Sequence, residues 1–134
     1  MARNIFKGLG VALVTPFTSD GSVDFKSLTC LVEHLIDNGA DFLCILATTS
    51  EAPCLSAYEK EEVKKHVIDI NRGRLPILMG CGGNNTKAIV DELKNSAWRG
   101  IDGVLSVCPY YNKPSQEGLY QHFKAIAEAS PLPV

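Results

Sequence analysis

Four short apolar runs alternate along this chain with longer stretches of helical period, and this alternation restricts the possible folds more than any other feature. Each run has four to six residues and is continuous, which is typical of parallel strands covered on both faces. The stretches between the runs repeat apolar residues at steps of three and four, and one of them opens with a capping box, Ser56 and Glu59. The sequence therefore predicts four successive βα units. The predicted strands are residues 9–14, 42–46, 76–79 and 103–107.

Two α/β architectures accommodate this order in one domain, residues 1–134. Residues 132–134 have the pattern of the start of a fifth strand, so the chain fits half of a (β/α)8 barrel, which takes about 250 residues. A small doubly wound sheet is the other option. Both folds use right-handed βαβ crossovers, so the local pattern alone does not separate them.

Composition excludes several classes of function. The net charge is −2 and no basic run occurs, so we expect no nucleic-acid partner. No apolar stretch reaches the roughly 20 residues of a membrane-spanning helix, and the N-terminus lacks the apolar segment of a secretory signal, so a cytoplasmic protein without membrane contact is expected. The cysteines are odd in number and form no CxxC pair, which favours small buried hydrophobic residues over disulfides or a zinc site. They are Cys30, Cys44, Cys54, Cys81 and Cys108.

Polar or glycine-rich loops follow the predicted strands, at the edge where parallel sheets bind ligands. In the turn of residues 48–50, hydroxyls and backbone N–H groups are suited to a small carboxylate, although such a turn also bonds its own backbone. The glycines of residues 80–83 allow close approach of a neighbouring backbone or a ligand, and Asn85 breaks the dinucleotide fingerprint. We therefore expect no nucleotide cofactor. The three histidines lie on predicted helices as surface or packing residues, and we expect no metal: His34, His66 and His122.

Three segments carry a family resemblance. Residues 10–17 (GVALVTPF), 48–51 (TTSE) and above all 109–119 (PYYNKPSQEGL) resemble the dihydrodipicolinate synthase and N-acetylneuraminate lyase family. The resemblance covers the whole chain but only the first half of the family's (β/α)8 TIM barrel. It implies that this chain forms about the first four βα units, a half barrel.

The resemblance also implies a reaction. The family's dihydrodipicolinate synthases are pyruvate-dependent class I aldolases that condense pyruvate with aspartate semialdehyde in lysine (diaminopimelate) biosynthesis, without a cofactor and as homotetramers. Their pyruvate forms a Schiff base with a lysine on the sixth strand, which would lie beyond Val134. By resemblance, Thr48 joins a proton relay, Thr49 binds the pyruvate carboxylate, and Tyr111 reaches across a dimer interface into the neighbouring site.

The chain departs from the family pattern at defined positions. The usual Gly-Thr-Thr-Gly-Glu turn has Ala47 and Ser50 at its two glycines, and a glycine at the second of these positions would suit a positive φ. Tyr110 and Asn84 match the family's site for inhibition by lysine. Three other positions of that site differ, so we expect insensitivity to lysine: Ala57, Lys60 and Ala88.

Two alternatives remain at this stage. One is a sibling aldolase such as N-acetylneuraminate lyase, which the aldehyde consumed with pyruvate would distinguish. The other is a noncatalytic half-barrel module that binds a small carboxylate or another chain. None of the nine lysines falls within a predicted strand, so the chain itself offers no substitute for the Schiff-base lysine, and coding sequence beyond Val134 with a lysine on a strand would favour the enzyme.

Overall fold

The computed structural model describes residues 5–134, in which strands and helices alternate as the sequence predicts. A short 3-10 helix, Ala52–Cys54, precedes the second α-helix. The strands are β1 (Gly10–Ala12), β2 (Phe42–Ile45), β3 (Ile77–Gly80) and β4 (Gly103–Leu105), and the helices are α1 (Phe25–Asp37), α2 (Ala57–Asn71), α3 (Thr86–Asn95) and α4 (Gln116–Ala129).

The four strands form one parallel sheet in the order β1-β2-β3-β4. Each crossover therefore moves one strand further in the same direction, as in a barrel. A doubly wound sheet reverses direction at a switch point, so the strand order decides against that alternative. The last residues continue the pattern, because the Val104 N–H donates to the Pro133 carbonyl over 2.9 Å. The expectation that residues 132–134 begin a fifth strand is thus supported by their place beside β4.

Polar side chains cap the N-termini of the four α-helices. Asp24 accepts a hydrogen bond from the Ser27 N–H at the start of α1. Ser56 and Glu59 form the predicted capping box of α2. Asn85 caps α3 and Ser115 caps α4. These residues satisfy amides that would lack partners in the first helical turn, which fixes where each helix begins.

The core lies on one face of the sheet. Leu43, Ile45, Ile77 and Met79 point to that face and are buried against α1 and α2, while a smaller cluster around Val104 packs under α3 and α4. The other face is apolar and is exposed along the two outer strands, and we call it the open face. It carries Ala12, Val14, Leu105 and Val107, all of them exposed. One covered and one open face are what half of a closed barrel presents.

The cysteines are less buried than the sequence predicts. Cys44 and Cys81 are buried as expected, but the same expectation is wrong for Cys30, Cys54 and Cys108, which are exposed. Position in the fold decides this, since Cys54 lies in the 3-10 helix and Cys108 in the loop after β4.

The histidines behave as surface or packing residues. His34 is exposed, and His66 Nε2 lies 2.8 Å from the Thr29 hydroxyl between α1 and α2. His122 is buried where α3 meets α4. Among residues 5–134, no helix is both long and apolar enough to cross a membrane.

Candidate functional site

The loops that follow the strands meet at the carboxyl edge of the sheet and enclose a cavity of about 530 Å³. Thr48 and Tyr110 line it at this edge, with Gly80 and Leu105 of the strands below them. The cavity extends outward into the space between α2 and α3. This position agrees with the place where parallel α/β folds bind ligands.

The threonine pair lies in a tight turn after β2. Backbone hydrogen bonds close the turn, from Ser50 N–H to the Ala47 carbonyl (3.2 Å) and from Glu51 N–H to the Thr48 carbonyl (3.0 Å). Thr48 and Thr49 are both exposed at its tip. The turn therefore presents two adjacent hydroxyls to solvent at the mouth of the sheet.

Positive φ values occur on either side of the threonine pair. Leu46 has φ 53° and Glu51 has φ 54°, whereas neither Ala47 nor Ser50 has a positive φ. The expectation of a positive φ at position 50 is therefore wrong, since the left-handed conformations of this turn fall on Leu46 and Glu51 instead. A serine at position 50 is compatible with this backbone.

Gly80 allows the turn to lie close to β3. A Cβ atom there would fall 2.2 Å from the Leu46 carbonyl oxygen, and one at Gly82 would fall 2.9 Å from the Val107 nitrogen. The prediction that the glycine-rich loop permits close backbone approach is confirmed at both positions. The loops after β2 and β4 can consequently converge on the loop after β3.

Ser50 and Thr15 join the turn to the exit of β1. The Ser50 hydroxyl donates to the Leu13 carbonyl, and the Thr15 hydroxyl donates to the Ser50 carbonyl, each over 2.7 Å. Ser50 is 2% exposed and Thr15 is 4% exposed. The sequence signal for this contact is weak, because a threonine after an apolar run and a serine in a polar turn are both common.

Tyr111 stands at the centre of a three-residue turn after β4. Its φ is 67°, and the Asn112 N–H donates to the Tyr110 carbonyl over 2.8 Å. The side chain is 94% exposed and does not line the cavity. Tyr110, which does line it, is half-exposed. Within residues 5–134, the structure thus brings Thr48 together with Tyr110, and it directs Tyr111 outward.

Asn84 holds this second turn from the loop after β3. Its Nδ2 donates to the Tyr110 carbonyl (3.3 Å) and to Asn112 Oδ1 (3.4 Å), and Asn112 Nδ2 donates back to the Asn84 carbonyl (3.2 Å). Sequence reasoning missed Asn112 as a partner. The reciprocal pair ties the loops after β3 and β4 together beside the cavity.

The outer part of the cavity is charged. Lys64 of α2 is 5% exposed, and its Nζ lies 2.6 Å from Glu61 Oε2 and donates to the Ala97 carbonyl over 3.1 Å. This hydrogen bond joins α2 to the segment that follows α3. Lys60 and Glu92 line the same part of the cavity.

Cys81 lies at the floor of this space. Burial is the main cause that raises the pKa of its thiol to about 12; the Glu92 carboxylate acts in the same direction, and Lys60 opposes both. The thiol is therefore protonated near neutral pH and is a poor nucleophile. The lysines offer no strand-borne amine either, because all nine lie on helices or loops of the part of the chain that the structure describes. Nor does any group of three His, Cys, Asp or Glu in residues 5–134 form a candidate metal site.

Comparison with known proteins identifies the family. The model of the dihydrodipicolinate synthetase family matches residues 5–134. The chain belongs to this family. It is 54% identical over 134 residues to the 4-hydroxy-tetrahydrodipicolinate synthase of Phocaeicola vulgatus, covering 100% of this chain and 45% of that protein. It is 46% identical over 129 residues to the enzyme of the same name from Bacillus subtilis, covering 96% and 44%.

Solved structures of the family establish the fold class. A dihydrodipicolinate synthase from Thermotoga maritima superposes with a TM-score of 0.90 at 41% identity, covering 96% of this chain and 43% of that one. One from Bacillus anthracis gives 0.88 at 49% identity, covering 94% and 43%. The chain spans less than half the length of the family members that it matches. Its four βα units are therefore a half barrel of the (β/α)8 TIM-barrel family.

Proposed function

We propose that this chain provides the pyruvate-binding half of a class I aldolase that condenses pyruvate with aspartate semialdehyde, a 4-hydroxy-tetrahydrodipicolinate synthase. The observation that supports this most directly is the pair of exposed threonines in a strained turn at the carboxyl edge of the sheet, in a chain of this family. Hydroxyl donors at that edge suit a small carboxylate substrate. The lysine that forms the Schiff base lies outside this chain.

The proposed chemistry begins at the pyruvate ketone. The lysine amine adds to C2, water leaves, and loss of a C3 proton gives an enamine whose C3 attacks the aldehyde carbon of aspartate semialdehyde. Thr49 holds the carboxylate of pyruvate. Thr48 and Tyr111 belong to the proton relay that serves these steps, and the exposed position of Tyr111 suits a side chain that acts in the site of a neighbouring subunit. The complete enzyme would then be a homo-oligomer, a homotetramer in the family pattern, located in the cytoplasm.

A complete barrel tests the proposal. Residues 1–134 would be followed by the second half of the Phocaeicola vulgatus relative, and the product would be incubated with pyruvate and borohydride, then assayed with aspartate semialdehyde. A pyruvyl adduct and turnover that both depend on Thr48 and Thr49 would support the proposal. Absence of turnover in a folded barrel would contradict it. The aldehyde that a complete enzyme carrying this half consumes with pyruvate distinguishes the sibling activity of N-acetylneuraminate lyase.

The 134-residue chain gives the complementary test. Incubated alone with pyruvate and borohydride, it should form no stable adduct, because none of its lysines lies on a strand of the described structure. Mass spectrometry of the reduced mixture is the measurement. An adduct on any lysine of this chain would show that it contains its own amine nucleophile.

A further inference from the structure

Ser50 adjoins the two threonines, yet its side chain points the other way. Its hydroxyl is buried and donates to the Leu13 carbonyl over 2.7 Å, while its own carbonyl accepts from the Thr15 hydroxyl at the same distance. Serine 50 thus takes part in two reciprocal bonds between the loops after β1 and β2. Because Thr49 precedes it directly, these bonds fix one end of the peptide that carries Thr49.

The ladder between β1 and β2 stops short of the turn that carries the threonines. The ladder between β1 and β2 ends with Leu13 N–H donating to the Cys44 carbonyl, over 2.9 Å. Above that bond, the Ser50 and Thr15 side chains continue the connection between the two loops. The turn also contains two non-glycine residues at positive φ, Leu46 and Glu51. Such a backbone persists only when its surroundings hold it in place.

We propose that Ser50, with Thr15, is a positioning residue that sets the orientation of Thr49 toward the carboxylate of pyruvate. The role acts through Thr49 and rests on the proposed function. The hydroxyls of Ser50 and Thr15 do not contact substrate, because each donates a hydrogen bond to a backbone carbonyl in the interior. Removal of either bond loosens the turn without removing a group that binds or reacts.

Two substitutions in the complete barrel test this role. Ser50→Ala should raise the KM for pyruvate about tenfold with a smaller change in kcat, as expected when one hydrogen bond no longer orders a carboxylate donor. Thr15→Val should have a similar effect. Thr15→Ser, which keeps the hydroxyl, should restore the KM of the parent. The KM for aspartate semialdehyde should change little in all three.

Ser130→Ala is the matched control. The Ser130 hydroxyl also donates to a leucine carbonyl, that of Leu132, over 2.7 Å, but it lies after α4 and away from the turn. Its loss should lower stability without changing the KM for pyruvate. Equal KM effects in Ser50→Ala and Ser130→Ala would show a merely structural role and overturn the inference.

A second readout is independent of turnover. Amide hydrogen exchange of residues 48–52 should accelerate at least about tenfold in Ser50→Ala, relative to exchange in α1 and α2. An unchanged KM or unchanged exchange in an active parent barrel would refute the positioning role and leave the proposed function intact. An inactive parent barrel would refute the proposed function and the positioning role with it.

Discussion

Tyr111 combines features that packing does not explain. A tyrosine at φ 67° in a three-residue turn is strained, by about 1–3 kcal/mol for a non-glycine residue of this kind. The side chain recovers nothing by burial, since 94% of it is exposed. The hydrogen bonds between Asn84 and Asn112 hold the turn in this conformation instead. The strain and the exposure of Tyr111 are compatible with the role in a neighbouring subunit's site that we propose for it.

Tyr111→Phe should lower kcat of the complete barrel about 100-fold with a smaller change in KM, because it removes one proton-transfer group and leaves the ring. Steady-state kinetics with both substrates is the measurement. Tyr120→Phe, on the exposed side of α4, is the matched control and should be neutral. A Tyr111→Phe barrel with unchanged kcat would remove this tyrosine from the mechanism.

Thr49→Val should act on binding. The substitution keeps the shape of the side chain and deletes the proposed carboxylate donor, so the KM for pyruvate should rise about tenfold or more, as for a hydrogen bond to a charged group. Thr86→Val is the control, since that hydroxyl lies beside His122 between α3 and α4. Equal pyruvate KM values for Thr49→Val and the parent would exclude Thr49 from carboxylate binding.

At the level of the elements, the capping signals predicted the helices well and the strand ends less well. Asp24 and the Ser56–Glu59 pair mark real helix starts because they meet a local hydrogen-bonding need. The predicted first strand, residues 9–14, is observed only as Gly10–Ala12. Its ladder depends on a neighbour on one side alone, and Pro16 has no N–H with which to extend it.

The candidate site was predictable in position and less so in its contacts. Strand exits mark the site, and Thr48, Tyr110 and Asn84 do lie near one another there. The contacts of Ser50 with Leu13 and of Asn84 with Asn112 join residues 37 and 28 positions apart. No local pattern encodes such pairs, because they arise only when the strand order brings the loops together.

The contact between α3 and α4 should depend on pH. His122 is 3% exposed, its Nδ1 lies 2.8 Å from the Thr86 hydroxyl, and its Nε2 has no partner among the described residues. Burial lowers the pKa of His122, so the folded state favours the neutral ring while the unfolded chain takes up a proton near pH 6.5. The contribution of the neutral His122 ring to the free energy of unfolding is therefore complete above about pH 6.5. It is lost as the pH falls toward the pKa of His122 in the folded state.

Urea unfolding of the complete barrel at about pH 7.5 and pH 5.5 measures this dependence. The urea concentration at the unfolding midpoint should fall more from the higher to the lower pH in the parent than in His122→Gln, because glutamine does not titrate. His34→Gln, at an exposed position, should behave as the parent does. Identical pH dependence in the parent and His122→Gln would show that another group is responsible.

The positions of α2 and α3 that depart from the family's inhibitor site predict insensitivity to lysine. Ala57 and Lys60 line the cavity, and Ala88 is exposed on the first turn of α3. An apolar residue and a positive charge are poor neighbours for the ammonium group of an amino acid. Sub-millimolar lysine should therefore leave the rate of the complete barrel unchanged. Inhibition in that range would contradict the prediction, and an Ala88→Glu variant that gains inhibition would identify the missing contact.

The molecule as a whole is a sheet with one covered face and one open face. In a closed barrel the first strand pairs with the eighth and the fourth with the fifth. Here, within residues 5–134, β1 pairs with β2 alone, and the outer edge of β4 is met by a single backbone bond, from Val104 to Pro133. Exposed Val14 and Leu105 lie on the open face, close to these two edges. No charged residue occurs in either β1 or β4 to discourage pairing with another chain.

The 134-residue chain should therefore self-associate or aggregate, because association buries the open face and pairs the free edges. Sedimentation at low micromolar concentration is the measurement, and co-expression with a second half barrel should rescue a compact and discrete species. A Val14→Lys, Val107→Lys variant should shift the chain toward monomer by placing charges on the open face, whereas Tyr58→Lys, on the outer surface of α2, should not. A parent chain that sediments as a monomer and unfolds cooperatively would show that one covered face is enough to stabilise this half of the barrel.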